Sequence, residues 1–494
     1  MSKDVIVIGS GFAGMSAACF MAKAGCNVTV LEKHAGPGGR ARQFSEAGFT
    51  FDMGPSWYWM PDVFDHFFNC FGKKTSDYYQ LKRLDPSYRI YWDVGPMDIP
   101  ADYNALRNLF EDLEPGAAAA LDRFMKEAAY KYETGIKKLV FKPGQSWSEF
   151  LDWNLIKGVF KLDVFTSIKK HIGKYFSHPK LQQLLEFPVL FLGALPNDTP
   201  ALYSLMNYAD IKLGTWYPEG GMYSIVNAMY QLATELGVKF LFSENVSKIV
   251  VENGKAVNVL AEGSDQSIQS YVTDMVIGAA DYHFIETQLL PRQYQSYTAA
   301  YWDKRVMAPS SLLYYIGLNK KLPGITHHSL FFDTSFERHG KEIYASPQWP
   351  ADPLFYVSAT SVTDDTVTPE GGENLFILIP VAAGLTGDTE ALREQYFQQV
   401  IRRYEKHIGQ SVMDAIIYKK TFAVSNFVSE YNSFKGNAYG LANTLMQTAI
   451  LKPSCRSKKV SNLFYTGQLT VPGPGVPPSL ISGEVVAKEV MKRF

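Results

Sequence analysis

From Val5 to Ala22 the chain carries no charged residue, and three glycines break that stretch of 18 positions into unlike parts. Asp4-Val5-Ile6-Val7-Ile8 is a short apolar run rich in β-branched side chains, the pattern of a buried parallel strand. Gly9, Gly11 and Gly14 follow, and the small and apolar residues from Met15 to Ala24 predict a helix that Gly25 stops. Asn27 to Leu31 returns to the strand pattern and ends at Glu32. A signal peptide or a short membrane span accommodates those glycines poorly, whereas a strand, a glycine turn, a helix and a second strand use each of them. No other stretch approaches spanning length, so no integral membrane segment is expected. At the far end Phe464-Tyr465-Thr466 reads as the end of a strand. The run Pro472-Gly473-Pro474-Gly475-Val476-Pro477-Pro478 forces an extended approach, and Ser479 or its neighbours open a final helix through Lys492.

Length and composition narrow the class. A chain of 494 residues exceeds the ~250–300 at which single cores stop growing, so a multi-domain globular enzyme is expected. With 48 basic and 49 acidic residues there is no global field to attract nucleic acid, and none is expected as a partner. Aromatic residues make up 14% against 20% charged, which fits either a large core or broad apolar binding walls. Cys19, Cys26, Cys70 and Cys455 form no Cys-x-x-Cys pair, which fits a reducing cytoplasm. Of the nine histidines only His327 and His328 are adjacent, no His-Glu-x-x-His motif is present, and no metal is expected.

The glycine spacing carries the first chemistry. In Gly9-x-Gly11-x-x-Gly14, Gly9 permits the tight turn, Gly11 lets the backbone approach a pyrophosphate, and Gly14 allows close packing of helix on strand. The helix N-terminus then faces the phosphates. Glu32, 18 residues after Gly14, is placed to accept hydrogen bonds from the ribose hydroxyls, and its charge disfavours a 2′-phosphate.

Downstream stand Gly36-Pro37-Gly38-Gly39-Arg40-Ala41-Arg42 and Gly48-Phe49-Thr50-Phe51-Asp52-Met53-Gly54-Pro55-Ser56. This run resembles the flavoprotein group of amine oxidases, protoporphyrinogen oxidase and bacterial-type carotenoid desaturases. The resemblance implies noncovalent FAD, Gly38 and Gly39 in a loop that continues the dinucleotide site, Arg40 paired with the pyrophosphate, and Gly54, Pro55 and Ser56 beside the flavin. Within that group the chain resembles the phytoene desaturase family through Phe191 to Pro196 with Pro200 to Tyr203, Tyr217 to Met222, Asp364 to Gly371 with Leu375 to Pro380, Asn462 to Gly467, and Pro472 to Gly483. It further implies a strand pair from Val246 to Val259 with the Val246 backbone on adenine. Gly467, Gly475 and Val476 lie in the closing motif at the flavin, where the helix end would favour its anionic reduced form.

The implied fold is α/β: a Rossmann-type FAD-binding domain (1–75, 217–284, 436–494), a mixed-sheet substrate domain (76–108, 285–435) and a helical cap (109–216). The implied activity is introduction of conjugated double bonds into a C40 polyene such as phytoene, giving lycopene-like products. A carotenoid isomerase, a C30 desaturase and a flavin amine oxidase are rival enzymes, and a prenyl-lipid-binding chaperone is the rival of another class. No acid or base stands out: Asp210, Glu219 and Asp281 sit near matched motifs, where caps and solvated turns account for them. Phe187, Phe191, Leu195, Tyr203 and Tyr208 are candidate walls of an apolar channel. Lys137, Lys138, Lys142, Lys157, Lys161, Lys169, Lys170 and Lys174 outnumber the acidic residues around them and alternate with Ile156, Phe160, Val164, Ile168 and Ile172. That pattern suits either a membrane surface holding a lipophilic substrate or a solvated face over a packed helix. The expected location is cytoplasmic, peripheral to the inner face of the membrane; the oligomeric state is left open.

Overall fold

A computed structural model of the chain describes residues 2–146, 149, 162–190 and 193–493. Ile156, Lys157, Phe160, Lys161 and Phe191 lie outside the described residues. The first apolar run forms the strand Asp4–Ile8 at the centre of a five-stranded sheet, in the order Leu463–Tyr465, Met275–Gly278, Asp4–Ile8, Asn27–Glu32, Lys239–Phe242. Every pairing in it is parallel, and its strands come from three separate stretches of chain.

Both faces of this sheet are covered, which explains the unbroken apolar pattern of its central strand. On one face Val5 and Val7 join a core with the first helix, Phe12–Lys23, the helix Tyr223–Glu235 and the final helix, Val476–Met491. On the other, Ile6 and Ile8 pack with Val246, Ile249 and Val259 of an antiparallel sheet, Asn245–Glu252, Lys255–Glu262 and Ile268–Val272.

A second large sheet is mixed and has seven strands, in the order Ile416–Phe422, Ser310–Leu318, Glu373–Val381, Phe355–Ser358, His328–Phe331, Tyr88–Trp92, Gly95–Ile99. Only His328–Phe331 and Tyr88–Trp92 pair in parallel there. One face packs on the helix Glu390–Ile408 through Leu312, Tyr314 and Ile316, while Leu313, Tyr315, Tyr356 and Leu378 face the core shared with the first sheet.

Two helix starts differ from expectation. The first helix begins at Phe12 rather than Met15, directly behind Gly11 as its N-cap. The final helix begins at Val476, ahead of Ser479, with Pro477 and Pro478 inside its first turn. Proline fits there because the first amides of a helix have no intrahelical acceptor to lose. In the lysine-rich stretch Ile168 and Ile172 are fully buried, so these two belong to a packed helix face, while Phe165 is 81% exposed beside exposed Lys169 and Lys170. Among the described residues no helix is long and apolar enough to cross a membrane.

Candidate functional site

The first glycines behave differently from one another. Gly9 has φ +101° and its amide donates to the Leu31 carbonyl at 2.8 Å, turning the chain off the first strand. A Cβ on Gly14 would lie 2.1 Å from the Gly9 carbonyl oxygen, so helix and turn fit only without a side chain. A Cβ on Gly11 would meet nothing within 4 Å, and its φ of −71° suits any residue. Packing therefore explains Gly14 but not Gly11; an open cradle for a ligand does. No side chain caps the helix behind it, leaving its first amides free for an anion.

Around this cradle the structure gathers the other predicted residues. Glu32 is buried, and its Oε2 accepts from the Ser10 amide and hydroxyl, each at 2.8 Å, while Oε1 accepts from the His34 amide at 3.0 Å. The Gly38 amide donates to the Ser10 carbonyl at 3.0 Å, and a Cβ on Gly39 would lie 3.2 Å from the Gly11 Cα. Gly54 leads into Pro55 and Ser56 from beneath Arg40, whose carbonyl oxygen would be 2.5 Å from a Gly54 Cβ. The Glu244 amide donates to the Glu32 carbonyl at 2.9 Å, which ties the start of the strand carrying buried Val246 to the end of the second strand. Gly467 stands at φ +110° and is held through its amide by the Ser482 hydroxyl at 3.0 Å.

Arg40 is held by residues distant in the chain. Its Nη2 donates to Ser433 Oγ at 2.9 Å and its guanidinium lies 5.5 Å from the Tyr431 ring; with the Gln468 amide oriented oxygen-inward, that oxygen accepts from Nη2 and Nη1 at 3.0 and 3.1 Å. Its Nε is buried with no partner, a donor that a phosphate oxygen would satisfy. Burial lowers the Arg40 pKa, and the nearby Asp281 opposes that shift. The closing motif contributes fewer donors than a helix start ordinarily has. Gly475 is the N-cap, Pro477 and Pro478 have no N–H, and the Ser479 amide is already bonded to the Gly475 carbonyl at 3.0 Å. Of these first positions Gly475 and Val476 keep amides with no internal acceptor, so any effect there rests on two hydrogen bonds and the helix dipole.

Directly after Ser56 the chain enters an aromatic cluster that the sequence reading missed. Trp57 stacks on His328 with centroids 4.2 Å apart and packs on Trp59 at 5.2 Å and Tyr88 at 5.4 Å. Tyr356 shares a 2.6 Å hydrogen bond with His328 Nδ1. Trp57 Nε1 and His328 Nε2 are buried without partners, and burial together with His327 holds the His328 imidazole well below its usual pKa. Of the proposed walls, Phe187 joins this cluster, 5.4 Å from Tyr88. Tyr208 instead packs on Tyr132 at 5.2 Å, and Leu195 fills the space over Gly340. The alternation Trp57-x-Trp59 beside the Gly-Pro-Ser turn was the available signal; the His328 and Tyr356 partners come from a distant part of the chain.

Of the three carboxylates left unassigned, Asp281 and Asp210 have structural hydrogen bonds. Asp281 caps a helical turn through Phe284 N at 3.2 Å and accepts from Phe434 N at 3.2 Å. Glu219 is exposed. Asp210 is buried, accepts from the Tyr88 hydroxyl at 2.7 Å and from the Thr215 hydroxyl at 3.3 Å, and so braces the aromatic cluster from behind. Burial pushes its carboxyl from 3.8 up to about 7 against the opposing hydrogen bonds. Across that window the folded chain holds a proton that the unfolded chain has lost, so stability falls as pH rises from 3.8 to about 7, by at most about 4 kcal/mol. Asp210→Asn is expected to flatten this decline in a pH series of thermal melts; an unchanged slope overturns it. Lys452 is another buried group that sequence reasoning did not single out. Its Nζ donates to Asn443 Oδ1 at 3.0 Å beside Gly473, and burial pushes it down to about 7.

A parallel Rossmann sheet, an open glycine cradle, a buried carboxylate at the end of the second strand and an orphaned guanidinium donor fit the dinucleotide site of an FAD-dependent oxidoreductase. The chain belongs to the family of flavin-containing amine oxidoreductases, whose model matches residues 12–491. It is 40% identical over 494 residues to the carotenoid 3,4-desaturase of Haloarcula japonica, covering 99% of this chain and 98% of that one. It is 29% identical over 495 residues to the zeta-carotene-forming phytoene desaturase of Myxococcus xanthus, covering 99% and 94%. An oxidoreductase from Methanosarcina mazei shares the fold with a TM-score of 0.62 at 17% identity, over 99% of this chain and 100% of that one.

Proposed function

We propose that the protein is a carotenoid desaturase that removes a hydride and a proton from adjacent saturated carbons of a long polyene. The observation that carries this reading is the aromatic cluster Trp57, Trp59, Tyr88, Phe187 and Tyr356 adjoining the Gly54-Pro55-Ser56 turn. The full-length likeness to carotenoid desaturases supports it. FAD supplies the two-electron acceptor that no side chain provides. The glycine loop, Glu32 and Arg40 bind and orient the dinucleotide, with Gly54 to Ser56, Val246, Gly467, Gly475 and Val476 completing its surround. The aromatic faces exclude water and favour the positive charge that hydride loss leaves on the polyene. Asp210 holds the Tyr88 ring in place through its hydroxyl. In this reading 1–75, 217–284 and 436–494 form the FAD domain, 76–108 and 285–435 the substrate domain, and 109–216 the cap.

The first substrate assigned is a C40 precursor of the phytoene type. The higher identity to a carotenoid 3,4-desaturase favours a second: introduction of a 3,4 double bond into a carotenoid. Expression in cells that accumulate phytoene, and in parallel in cells that accumulate lycopene, separates them. Each new double bond lengthens the conjugated system, so the first cells turn from colourless to yellow or red, or the second yield a product absorbing at longer wavelength. Folded, flavin-loaded protein that changes neither pigment overturns both C40 assignments, and the same assay with a C30 precursor then decides.

A lipophilic substrate is reached from a membrane, and peripheral attachment to the cytoplasmic face is part of the proposal. Exposed Phe165 with Lys169, Lys170 and Lys174 supports contact with anionic lipid. Sedimentation with anionic liposomes is expected to fall with salt, and to fall further when Lys169 and Lys170 are changed to Glu. Unchanged sedimentation in that variant removes this stretch from the contact.

A further inference from the structure

We propose that His66, Cys70 and Glu484 form a binding site for a borderline-soft divalent cation of the zinc class, away from the dinucleotide cradle. His66 and Cys70 stand four residues apart at the end of the helix Pro61–Asn69 and project from one face of it, where the final helix presents Glu484. His66 Nε2 lies 3.0 Å from Glu484 Oε2 and 3.7 Å from Cys70 Sγ, and one ligand atom from each residue falls within 4.8 Å of the other two. Zinc bonds of about 2.0–2.3 Å in tetrahedral geometry place neighbouring ligand atoms roughly 3.3–3.6 Å apart. Two of the three edges already have that length within a few tenths of an ångström.

The donor set selects the metal. Nitrogen, sulfur and oxygen together suit zinc and its neighbours and not magnesium or calcium, which take oxygen. Binding forms a sulfur–metal bond in place of the Cys70 S–H bond and releases that proton to solvent. Thiolate and carboxylate then balance the two charges of the ion. Lys488 is bonded to Glu484 Oε1 at 2.5 Å, which leaves Oε2 directed at His66. His66 is exposed and Cys70 half-buried, so an ion has an entry path and room for a water as fourth ligand.

The contrast within the same molecule is informative. Glu127, Asp163 and His171 also converge, but buried Lys131 occupies their centre, its Nζ 3.1 Å from Asp163 and 3.3 Å from His171 Nε2, so an ammonium already fills the cation's place. Among the described residues the ammonium groups near His66, Cys70 and Glu484 bond outward-facing atoms instead of the three ligand atoms: Lys488 the outer carboxylate oxygen of Glu484, and Lys23 the Cys70 backbone carbonyl.

The test uses untagged, FAD-loaded protein stripped with a chelator and titrated with Zn2+ by calorimetry, with flavin absorbance confirming the fold of each variant. One equivalent is expected to bind, and Cys70→Ser and His66→Ala are each expected to weaken it at least tenfold. Cys26→Ser, which removes another half-buried thiol elsewhere, is expected to leave it unchanged. Co2+ in place of Zn2+ is expected to give thiolate-to-metal absorption that Cys70→Ser abolishes. Absence of a stoichiometric site, or binding that survives Cys70→Ser or is lost with Cys26→Ser, overturns the proposal.

Discussion

Replacing Gly11 with valine yields a folded protein without flavin. The position is extended at φ −71° and ψ 176°, a conformation valine adopts readily, and a Cβ there has no neighbouring atom within 4 Å. In the proposed site the side chain takes the place of the pyrophosphate, so FAD affinity is expected to fall by at least about 100-fold, about 2.7 kcal/mol, with the melting temperature of the FAD-free protein unchanged. Gly14→Ala is expected to do the reverse, because its Cβ strikes the Gly9 carbonyl at 2.1 Å and drives helix from strand. That overpacking costs about 1–3 kcal/mol in the apoprotein itself. Flavin content and apoprotein melts, measured together, separate the two variants. A yellow Gly11→Val protein would show that the cradle holds something other than the phosphates.

The second large effect lies at the other end of the chain. Gly483 sits in the middle of the final helix, where a Cβ would lie 2.6 Å from the Ala13 carbonyl oxygen, 2.6 Å from the Ser16 Cβ and 2.7 Å from the Ala17 amide nitrogen. Two of those are backbone atoms, which have nowhere to move, and the helices are further tied by the Ser16 hydroxyl on the Leu480 carbonyl at 2.7 Å. Gly483→Val therefore has to push the final helix off the first. The expected cost is about 3 kcal/mol or more, read as a large drop in melting temperature together with loss of flavin, since the displaced helix is the one that carries Val476 and orders Gly467 through Ser482. Unaltered melting and flavin content in this variant would mean that the two helices do not touch at Gly483.

How legible each part was depends on the range of the interactions that make it. The strand at Asp4–Ile8, the glycine turn and Glu32 are local, and their spacing alone predicted an arrangement that the backbone reproduces. The helix starts at Phe12 and Val476 were placed three residues late, because apolar pattern was allowed to outweigh cap chemistry at Gly11 and Gly475. The aromatic cluster escaped since Trp57 meets His328 and Tyr356 only through pairing of Phe355–Ser358 with His328–Phe331. Ring type is visible in a sequence, but register between distant strands is not. The His66 and Cys70 spacing was visible on one helix, whereas Glu484, more than 400 positions later, was not its evident partner.

The order of strands in the parallel sheet also sets a schedule for synthesis. The glycine cradle is made more than 400 residues ahead of the strand Leu463–Tyr465 that completes its sheet and of Val476–Met491, the cover of the first helix. Until then the apolar faces of Met15, Ala17, Ala18 and Met21 have no final-helix partner. A growing chain must therefore keep this half-built site soluble while the intervening residues are made, and a complete flavin site is expected only once the final helix has docked.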